Sequence, residues 1–158
     1  MATSQKGPGS TGKEGQVTYT DPYVLCAEDN RVDYLFFERA FRQSQPDYPI
    51  VHCENGKLTR DFLLQRIRRN DTLPILIVLD IKMPGLSGLE VLEYIRSKPR
   101  LTQIPVVMLS ASSEERDIQS AYRHCANAYL TKPERYGDLK RLVSTMADFW
   151  ISYNHRPK

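Results

Sequence analysis

The sequence predicts a single-domain α/β fold, in which one doubly wound, five-stranded parallel sheet carries helices on both faces. Two observations support this prediction. Five short apolar runs alternate with five longer segments in which apolar residues recur at helical spacing. In addition, the 158 residues are 41% apolar and 26% charged, which suits one globular domain with its own core.

The first half of the chain contains two predicted strand and helix pairs. The first strand covers 23–27, and Asn30 can cap the following helix with its side-chain oxygen. The apolar face of that helix is expected to carry Val32, Leu35, Phe36 and Ala40. A second strand at 50–53 precedes a helix around 58–68, whose apolar periodicity is less clear.

The third and fourth pairs share a signal for the start of a helix. The third strand covers 75–79 and the fourth covers 106–109. Each is followed by a Ser-x-x-Glu sequence, at 87–90 and at 112–115 respectively. This pattern is typical of a capping box, in which the Ser and Glu side chains satisfy backbone N–H groups at a helix start. We therefore predict a capping box at the beginning of both helices.

The fifth strand is predicted at 128–131 and gives way at Pro133 to the last helix. The apolar stripe of that helix consists of Leu139, Leu142, Val143, Met146, Phe149 and Trp150. The folded domain is therefore expected to cover 21–154, with a short tail at 155–158.

Residues 1–20 are expected to be disordered, because they contain almost no apolar side chains that could offset the entropy of ordering. Gly7, Gly12 and Lys13 match the beginning of a phosphate-binding loop. Glu14, however, takes the place of the required Ser or Thr, and no strand precedes Gly7. We therefore do not assign a nucleotide site to this segment.

Composition also limits where in the cell this protein is expected to act and which classes of partner it is expected to bind. The longest uncharged apolar run, 73–79, is far shorter than the roughly 18–20 residues that span a bilayer, and no signal peptide is evident, so we expect a cytoplasmic protein with no membrane partner. The formal charge of +3 is mild. Without a nucleic-acid-binding motif, the cluster of Arg66, Arg68 and Arg69 is expected to be a solvated helix face. We expect reduced thiols in the core at Cys26, Cys53 and Cys125.

Five alternating units commonly adopt the flavodoxin-like strand order 2-1-3-4-5, which makes the first and third strands neighbours. Ligands of such sheets bind beyond the carboxyl ends of the strands, where the order reverses. Polar residues follow four of the five predicted strands: Glu28 and Asp29, Asp80, Ser110, and Lys132. The strand order therefore predicts that these side chains converge on one crevice.

Three clustered carboxylates repel each other unless a cation is present, and one Lys neutralises only part of their charge. An all-oxygen donor set suits Mg²⁺ rather than zinc. An aspartate beside a divalent cation and a lysine can accept a phosphoryl group as an acyl phosphate. The alternative is structural, because an Asp after a strand is often a helix cap or turn former and a Ser or Lys at a strand end is common.

The sequence resembles the receiver domains of two-component response regulators over about 23–150. The resemblance is carried by "VLCAEDN", "IVLDIKMPGLSGLEVL", "PVVMLSAS" and "AYLTKP", in this order. It implies that Asp80 accepts a phosphoryl group from a sensor histidine kinase. Mg²⁺ would be held by Glu28, Asp29, Asp80 and the backbone carbonyl of Lys82.

The resemblance also implies roles for residues around the acceptor. Lys132 would pair with the phosphoryl oxygens and Ser110 would bond one of them. Tyr129 occupies the position of the family's switch aromatic, although strands favour tyrosine in any case. The signal would then reach the face formed by the fourth helix, the fifth strand and the fifth helix. The family often has a cis peptide bond at Lys132-Pro133, which we carry as a hypothesis.

No output domain is apparent, so another protein is expected to read the phosphorylated state. Among stand-alone receivers, the chain is most similar to small regulators paired with bacterial and cyanobacterial phytochrome kinases. The features are "RRNDTLP" before the third strand, "SSEERDIQSAY" before the fifth, and the final "FW". This implies homodimers, for which Phe149 and Trp150 are candidates, and packing of these two rings within the core is the alternative.

Two other functions remain open at this point. An aspartate-nucleophile phosphohydrolase also forms a phosphoaspartate with Mg²⁺, but such enzymes typically carry a second Asp two positions later, where this chain has Lys82. A degenerate receiver used only for interaction is the third class, and the intact acids, hydroxyl and lysine argue against it. We therefore expect a phosphoacceptor with slow autodephosphorylation rather than an enzyme.

Overall fold

A computed structural model describes residues 11–12, 16–17 and 19–157. Within the segment predicted to be disordered, Thr11–Gly12 pairs antiparallel with Gln16–Val17, and the rest of 1–18 lies outside the described residues. Gly7 and Lys13 of the partial phosphate-loop match also lie outside them.

The main sheet has five parallel strands in the predicted order 2-1-3-4-5. The strands are β1 (Val24–Ala27), β2 (Ile50–Cys53), β3 (Leu76–Leu79), β4 (Val106–Ser110) and β5 (Ala128–Thr131). In the centre, Val24 of β1 is level with Ile50 of β2 and Leu76 of β3. The residues that follow β1 and β3 therefore leave the sheet side by side, which confirms the predicted fold class.

The five helices cover both faces of the sheet, as expected for right-handed crossovers. They are α1 (Arg31–Ser44), α2 (Gly56–Arg69), α3 (Gly88–Ser97), α4 (Glu115–Arg123) and α5 (Tyr136–Ala147). One core contains side chains of α1 and α5, and the other contains side chains of α2, α3 and α4. β1, β3 and β4 contribute alternate residues to the two cores, because successive strand residues point to opposite faces.

The predicted apolar face of α1 is wrong in part. Tyr34, Phe37, Ala40 and Phe41 are the buried residues of this helix. Of the predicted face, Val32 is 57% exposed, and Leu35 and Phe36 are also exposed. α1 carries two apolar stripes, and spacing alone does not say which of them packs on the sheet. The outer stripe is left at the surface next to the polar end of the sheet.

One of the two predicted capping boxes is present. Ser87 N donates to Glu90 Oε2 at 2.8 Å, and Glu90 N donates to Ser87 Oγ at 3.3 Å. The predicted box at 112–115 is wrong, because α4 begins after Glu114 without a side-chain cap. The Ser112 hydroxyl instead donates to Asp117 Oδ2 at 2.6 Å. A side chain within α4 thus competes successfully for the hydroxyl.

Two further sequence predictions need correction. Cys26 and Cys53 are buried thiols, but Cys125 is exposed just after α4, where its φ is 63°. Arg66 is not on a solvated face. Its side chain is buried, pairs with Asp71 Oδ2 at 3.1 Å and lies over the ring of Phe62.

The last helix is longer than α5 alone, because a π-helical turn at Asp148–Tyr153 continues it. Asp148 Oδ1 accepts hydrogen bonds from Ser44 Oγ and Gln45 Nε2, which fastens this turn to the end of α1. Phe149 is 53% exposed, while Trp150 is half-buried. No helix among the described residues has the length and apolar content needed to cross a membrane.

Candidate functional site

The carboxyl ends of β1 and β3 bring three acids together. Glu28 and Asp29 follow β1, and Asp80 follows β3 directly. Each of the three has a carboxylate oxygen within 4.8 Å of one from the other two. Glu28 and Asp80 are buried and Asp29 is exposed, so the cluster lies at an exit from the core. Adjacent parallel strands in register explain this meeting of residues that are distant in the sequence.

Lys132, directly after β5, reaches into this cluster with its ammonium group. Its Nζ donates to Glu28 Oε2 in a short contact, and to Asp80 Oδ2 and Asp33 Oδ2 at 3.1 Å each. The ammonium has three N–H donors, and each has a carboxylate partner here. Lys132 therefore holds the ends of β1, β3 and β5 together by charge.

Asp33 is the member of this group that the sequence analysis missed. It lies in the first turn of α1, where its backbone N–H bonds the capping side chain of Asn30 at 3.0 Å. An acid in the first turn of a helix is common, because it interacts favourably with the helix dipole. Its position one turn after the acidic pair was the available signal, but only the packing of α1 shows that it meets Lys132.

The cluster shifts the pKa values of its members. Burial raises the pKa of Glu28 to about 7, although the hydrogen bond from Lys132 opposes this shift. Burial alone would lower the pKa of Lys132, but the hydrogen bond to Glu28 and the charge of Asp80 outweigh it and raise the pKa above its usual value. Lys132 is thus held as a cation among the acids.

Ser110 and Tyr129 belong to β4 and β5, which lie on the side of β3 opposite to β1. Ser110 is buried at the end of β4, and its hydroxyl accepts a hydrogen bond from Ser112 N at 3.2 Å. The half-buried Tyr129 donates its hydroxyl to Ser112 O at 2.8 Å. Both predicted switch residues therefore contact the same residue of the loop between β4 and α4.

The loop from β3 to α3 positions Asp80 through its backbone. Asp80 N donates to Ala27 O at 3.0 Å, and Gly88 N donates to Ile81 O at 2.9 Å. A Cβ atom on Gly88 would lie 1.9 Å from the carbonyl oxygen of Asp80. Only glycine fits at this approach, a constraint that the sequence analysis did not identify. Lys82 lies in the same loop with its side chain exposed.

Replacing Gly88 with Ala is expected to lower the free energy of unfolding by about 2–3 kcal/mol, because the new methyl group displaces the backbone at Asp80. Urea unfolding measures the loss. Gly137→Ala is the matched control, since a Cβ there meets no atom within 4 Å. Equal stability of the two variants would contradict the close approach.

The hypothesis of a cis bond at Lys132-Pro133 is wrong for this structure, because none of the described peptide bonds is cis. An X-Pro bond favours trans by about 0.5–1 kcal/mol, and the trans chain already brings Lys132 to Glu28, Asp33 and Asp80.

The donor set fits a hard divalent cation. Glu28, Asp29 and Asp80 offer only oxygen ligands, and together with Asp33 and Lys132 they leave a formal charge of −3. Partial burial makes this charge costly without a counter-ion. A divalent ion placed between Glu28, Asp29 and Asp80 would neutralise most of it.

A doubly wound sheet that gathers acids and a lysine at its switch point is typical of a phosphoacceptor module in signalling. The chain belongs to the response regulator receiver domain family, whose model matches residues 24–144. Receiver domains bind a divalent metal in an acidic pocket. They are signalling proteins rather than enzymes, which decides against the phosphohydrolase alternative.

Two of the similar proteins are named as regulators. The probable methanogenesis regulatory protein FilR2 of Methanothrix harundinacea is 35% identical over 87% of this chain and 89% of its own length. Response regulator Rcp1 of Synechocystis is 33% identical over 81% of this chain and 88% of its own length.

Solved structures agree with the fold in detail. The Mn²⁺-bound form of Rcp1 superposes with a TM-score of 0.80 at 32% identity, over 87% of this chain and 100% of that one. The phosphorylated cyanobacterial phytochrome response regulator RcpA gives 0.79 at 32% identity, over 87% of this chain and 99% of that one.

Proposed function

We propose that this protein is a response regulator that accepts a phosphoryl group on Asp80 from a phosphohistidine of a sensor histidine kinase. The observation that supports it most directly is the ammonium of Lys132, 3.1 Å from Asp80 Oδ2, within a cluster of acids. In the reaction, a carboxylate oxygen of Asp80 forms a bond to phosphorus while the bond from phosphorus to the histidine nitrogen breaks.

The other residues of the cluster have supporting roles. Glu28, Asp29, Asp80 and the backbone carbonyl of Lys82 would hold Mg²⁺. When bound, the ion neutralises charge on the transferring phosphoryl group. Lys132 pairs with a phosphoryl oxygen and Ser110 donates its hydroxyl to another.

Binding of Mg²⁺ is expected to be tighter at pH 8 than at pH 6, by roughly tenfold in the dissociation constant. The pKa of Glu28 is raised to about 7, so at pH 6 a proton must leave this carboxyl before it can bind the ion, whereas at pH 8 the carboxyl is already ionised. Calorimetric titration at both pH values measures the difference. In Glu28→Gln the pH dependence disappears if Glu28 is its source, and an equal constant at both pH values for the wild type would contradict the prediction.

Phosphorylation is transmitted through Ser110 and Tyr129. The phosphoryl group adds about two negative charges at Asp80, which gives the Ser110 hydroxyl a strong acceptor. When Ser110 moves, its hydroxyl loses the hydrogen bond from Ser112 N. The same residue is linked to Tyr129, because Ser112 O accepts the hydrogen bond of the Tyr129 hydroxyl. Tyr129 then reorients on the face formed by α4, β5 and α5, which a downstream protein reads.

We propose that the sensor histidine kinase is a phytochrome. We also propose that the protein acts in the cytoplasm. RcpA is by name a phytochrome response regulator, and a bacteriophytochrome response regulator, RtBRR, is 34% identical over 86% of this chain with a TM-score of 0.68. Transfer of labelled phosphate from purified phytochrome kinases, compared with a kinase that has no light sensor, tests this. Equal or faster transfer from the second kinase would contradict the proposal.

We also propose a homodimer through the face formed by α4, β5 and α5, with Phe149 and Trp150 at its margin. The two rings pack edge to face at 4.9 Å, and Phe149 remains half-exposed, which leaves apolar surface for a second copy.

In sedimentation, Phe149→Ser is expected to weaken dimerisation by about tenfold, since burial of such a ring at an interface contributes of the order of 1–2 kcal/mol. Leu58→Ser, an exposed apolar residue on α2, is the matched control. A monomeric wild type at high concentration, with and without a phosphoryl analogue, would contradict the dimer.

A further inference from the structure

The imidazole ring of His52, on the edge strand β2, reaches across to the end of β1. Its Nε2 atom lies 2.8 Å from the backbone carbonyl oxygen of Glu28. A carbonyl oxygen can accept a hydrogen bond but cannot donate one, so Nε2 carries the hydrogen of this contact. His52 therefore donates to the peptide unit that joins Glu28 to Asp29.

The ring of His52 is held in place by Tyr34, on the buried face of α1. The two rings are stacked, with 3.6 Å between their centroids and 2° between their planes. Tyr34 is buried and His52 is half-buried. A ring packed face to face in this way has little freedom to rotate, so Nε2 stays directed at the carbonyl of Glu28.

Both backbone groups of Glu28 are bound to β2. Its N–H donates to Cys53 O at 3.1 Å, as in a regular sheet ladder. β2 ends at Cys53 and α2 begins at Gly56, so the chain leaves the sheet at this point. The imidazole of His52 supplies the donor for the carbonyl of Glu28 beyond the end of the ladder.

The peptide unit that His52 contacts lies between two of the three clustered acids. The carboxylate oxygens of Glu28, Asp29 and Asp80 meet within 4.8 Å of one another. Rotation of the peptide between Glu28 and Asp29 would change the directions in which these two side chains leave the turn. The contact with His52 opposes that rotation, so it helps to hold the two carboxylates together.

We propose that His52 is a positioning residue for the divalent cation, because its Nε2–H fixes the peptide between Glu28 and Asp29 so that both carboxylates face Asp80. The inference rests on the proposed function, since it concerns the same cation site. His52 does not bind the ion itself. Hydrogen bonds that orient metal ligands from outside the ligand set commonly change metal affinity by about tenfold or more.

Two substitutions separate the hydrogen bond from the packing of the ring. His52→Phe keeps an aromatic ring on Tyr34 but has no N–H donor, whereas His52→Gln lacks the ring but has an amide N–H donor of similar reach. Calorimetric titration of the full chain with Mg²⁺ at pH 8 measures the affinity. We expect His52→Phe to bind the ion about tenfold more weakly than the wild type, and His52→Gln to bind it close to the wild-type constant.

Urea unfolding of the same variants in EDTA measures the role of the ring in stability. His52→Gln is expected to have the lower midpoint, because it loses the stacking on Tyr34. The variant that is less stable is therefore expected to be the one that binds Mg²⁺ more tightly. A role of His52 in folding alone would change the urea midpoint and leave the affinity of the folded protein unchanged.

His124→Phe is the matched control, because His124 Nδ1 also contacts a backbone carbonyl, that of Ser120 at 2.8 Å, but at the end of α4. It should leave the affinity for Mg²⁺ unchanged. The inference alone is overturned if His52→Phe binds Mg²⁺ as tightly as the wild type, or if His52→Gln loses as much affinity as His52→Phe. A wild type that binds no Mg²⁺ would instead overturn the cation site of the proposed function and this inference together.

Discussion

Replacement of Asp80 with Asn is expected to abolish phosphorylation by a small acyl phosphate in the presence of Mg²⁺. The wild type should gain one phosphoryl group by intact mass, in a form that is lost at high pH, as expected for an acyl phosphate. The amide has nearly the shape of the carboxylate but lacks the anionic oxygen that attacks phosphorus. Asp80 is the only one of the three acids that comes directly after the central strand β3.

The design separates loss of the acceptor from loss of the fold. Asp61→Asn changes an acid on the surface of α2 and should be phosphorylated like the wild type. Chelation of the metal should prevent the mass increase in the wild type and in Asp61→Asn. An alkali-labile phosphoryl group on Asp80→Asn would show that another residue is the acceptor.

Replacement of Lys132 with Met is expected to lower the free energy of unfolding by about 3–5 kcal/mol when no divalent metal is present. The side chain of Lys132 is 12% exposed, and its ammonium pairs with Glu28, Asp33 and Asp80. Without it, two buried carboxylates face each other with no cation. Mg²⁺ should restore part of the loss, because Glu28 and Asp80 are both proposed ligands.

Urea unfolding in EDTA and in Mg²⁺ measures both effects. Lys140→Met removes an exposed lysine from α5 and is the matched control, with stability close to that of the wild type. Phosphorylation of Lys132→Met should also be much slower, because the phosphoryl oxygens lose their ammonium partner. If Lys132→Met unfolds like the wild type in EDTA, the ion pairs do not stabilise the end of the sheet.

Much of the site could be predicted because it depends on topology. Once five alternating units are recognised, the strand order places the residues after β1 and β3 side by side. Asp80 and Glu28 then meet without any knowledge of packing. The two central strands are buried on both faces, so their apolar runs are unambiguous.

The features that the sequence analysis missed depend on which face of a helix packs on the sheet and on where loops approach each other. α1 has two apolar stripes, and the choice of the inner stripe decides both that Phe36 is exposed and that Asp33 reaches Lys132. Gly88 is required by a close approach to the Asp80 carbonyl, which leaves no mark on local sequence beyond the glycine itself.

The sequence by itself determined the alternation of strands and helices, the order of the sheet and the set of polar residues at the strand ends. The alternation and the polar residues follow from patterns encoded locally, and the strand order is the one that is common among doubly wound folds of five units. Only the tertiary structure decided which face of α1 is buried and that Lys132 has a third carboxylate partner in Asp33. The physical reason is that each depends on packing between elements distant in the chain, where several arrangements satisfy the same pattern.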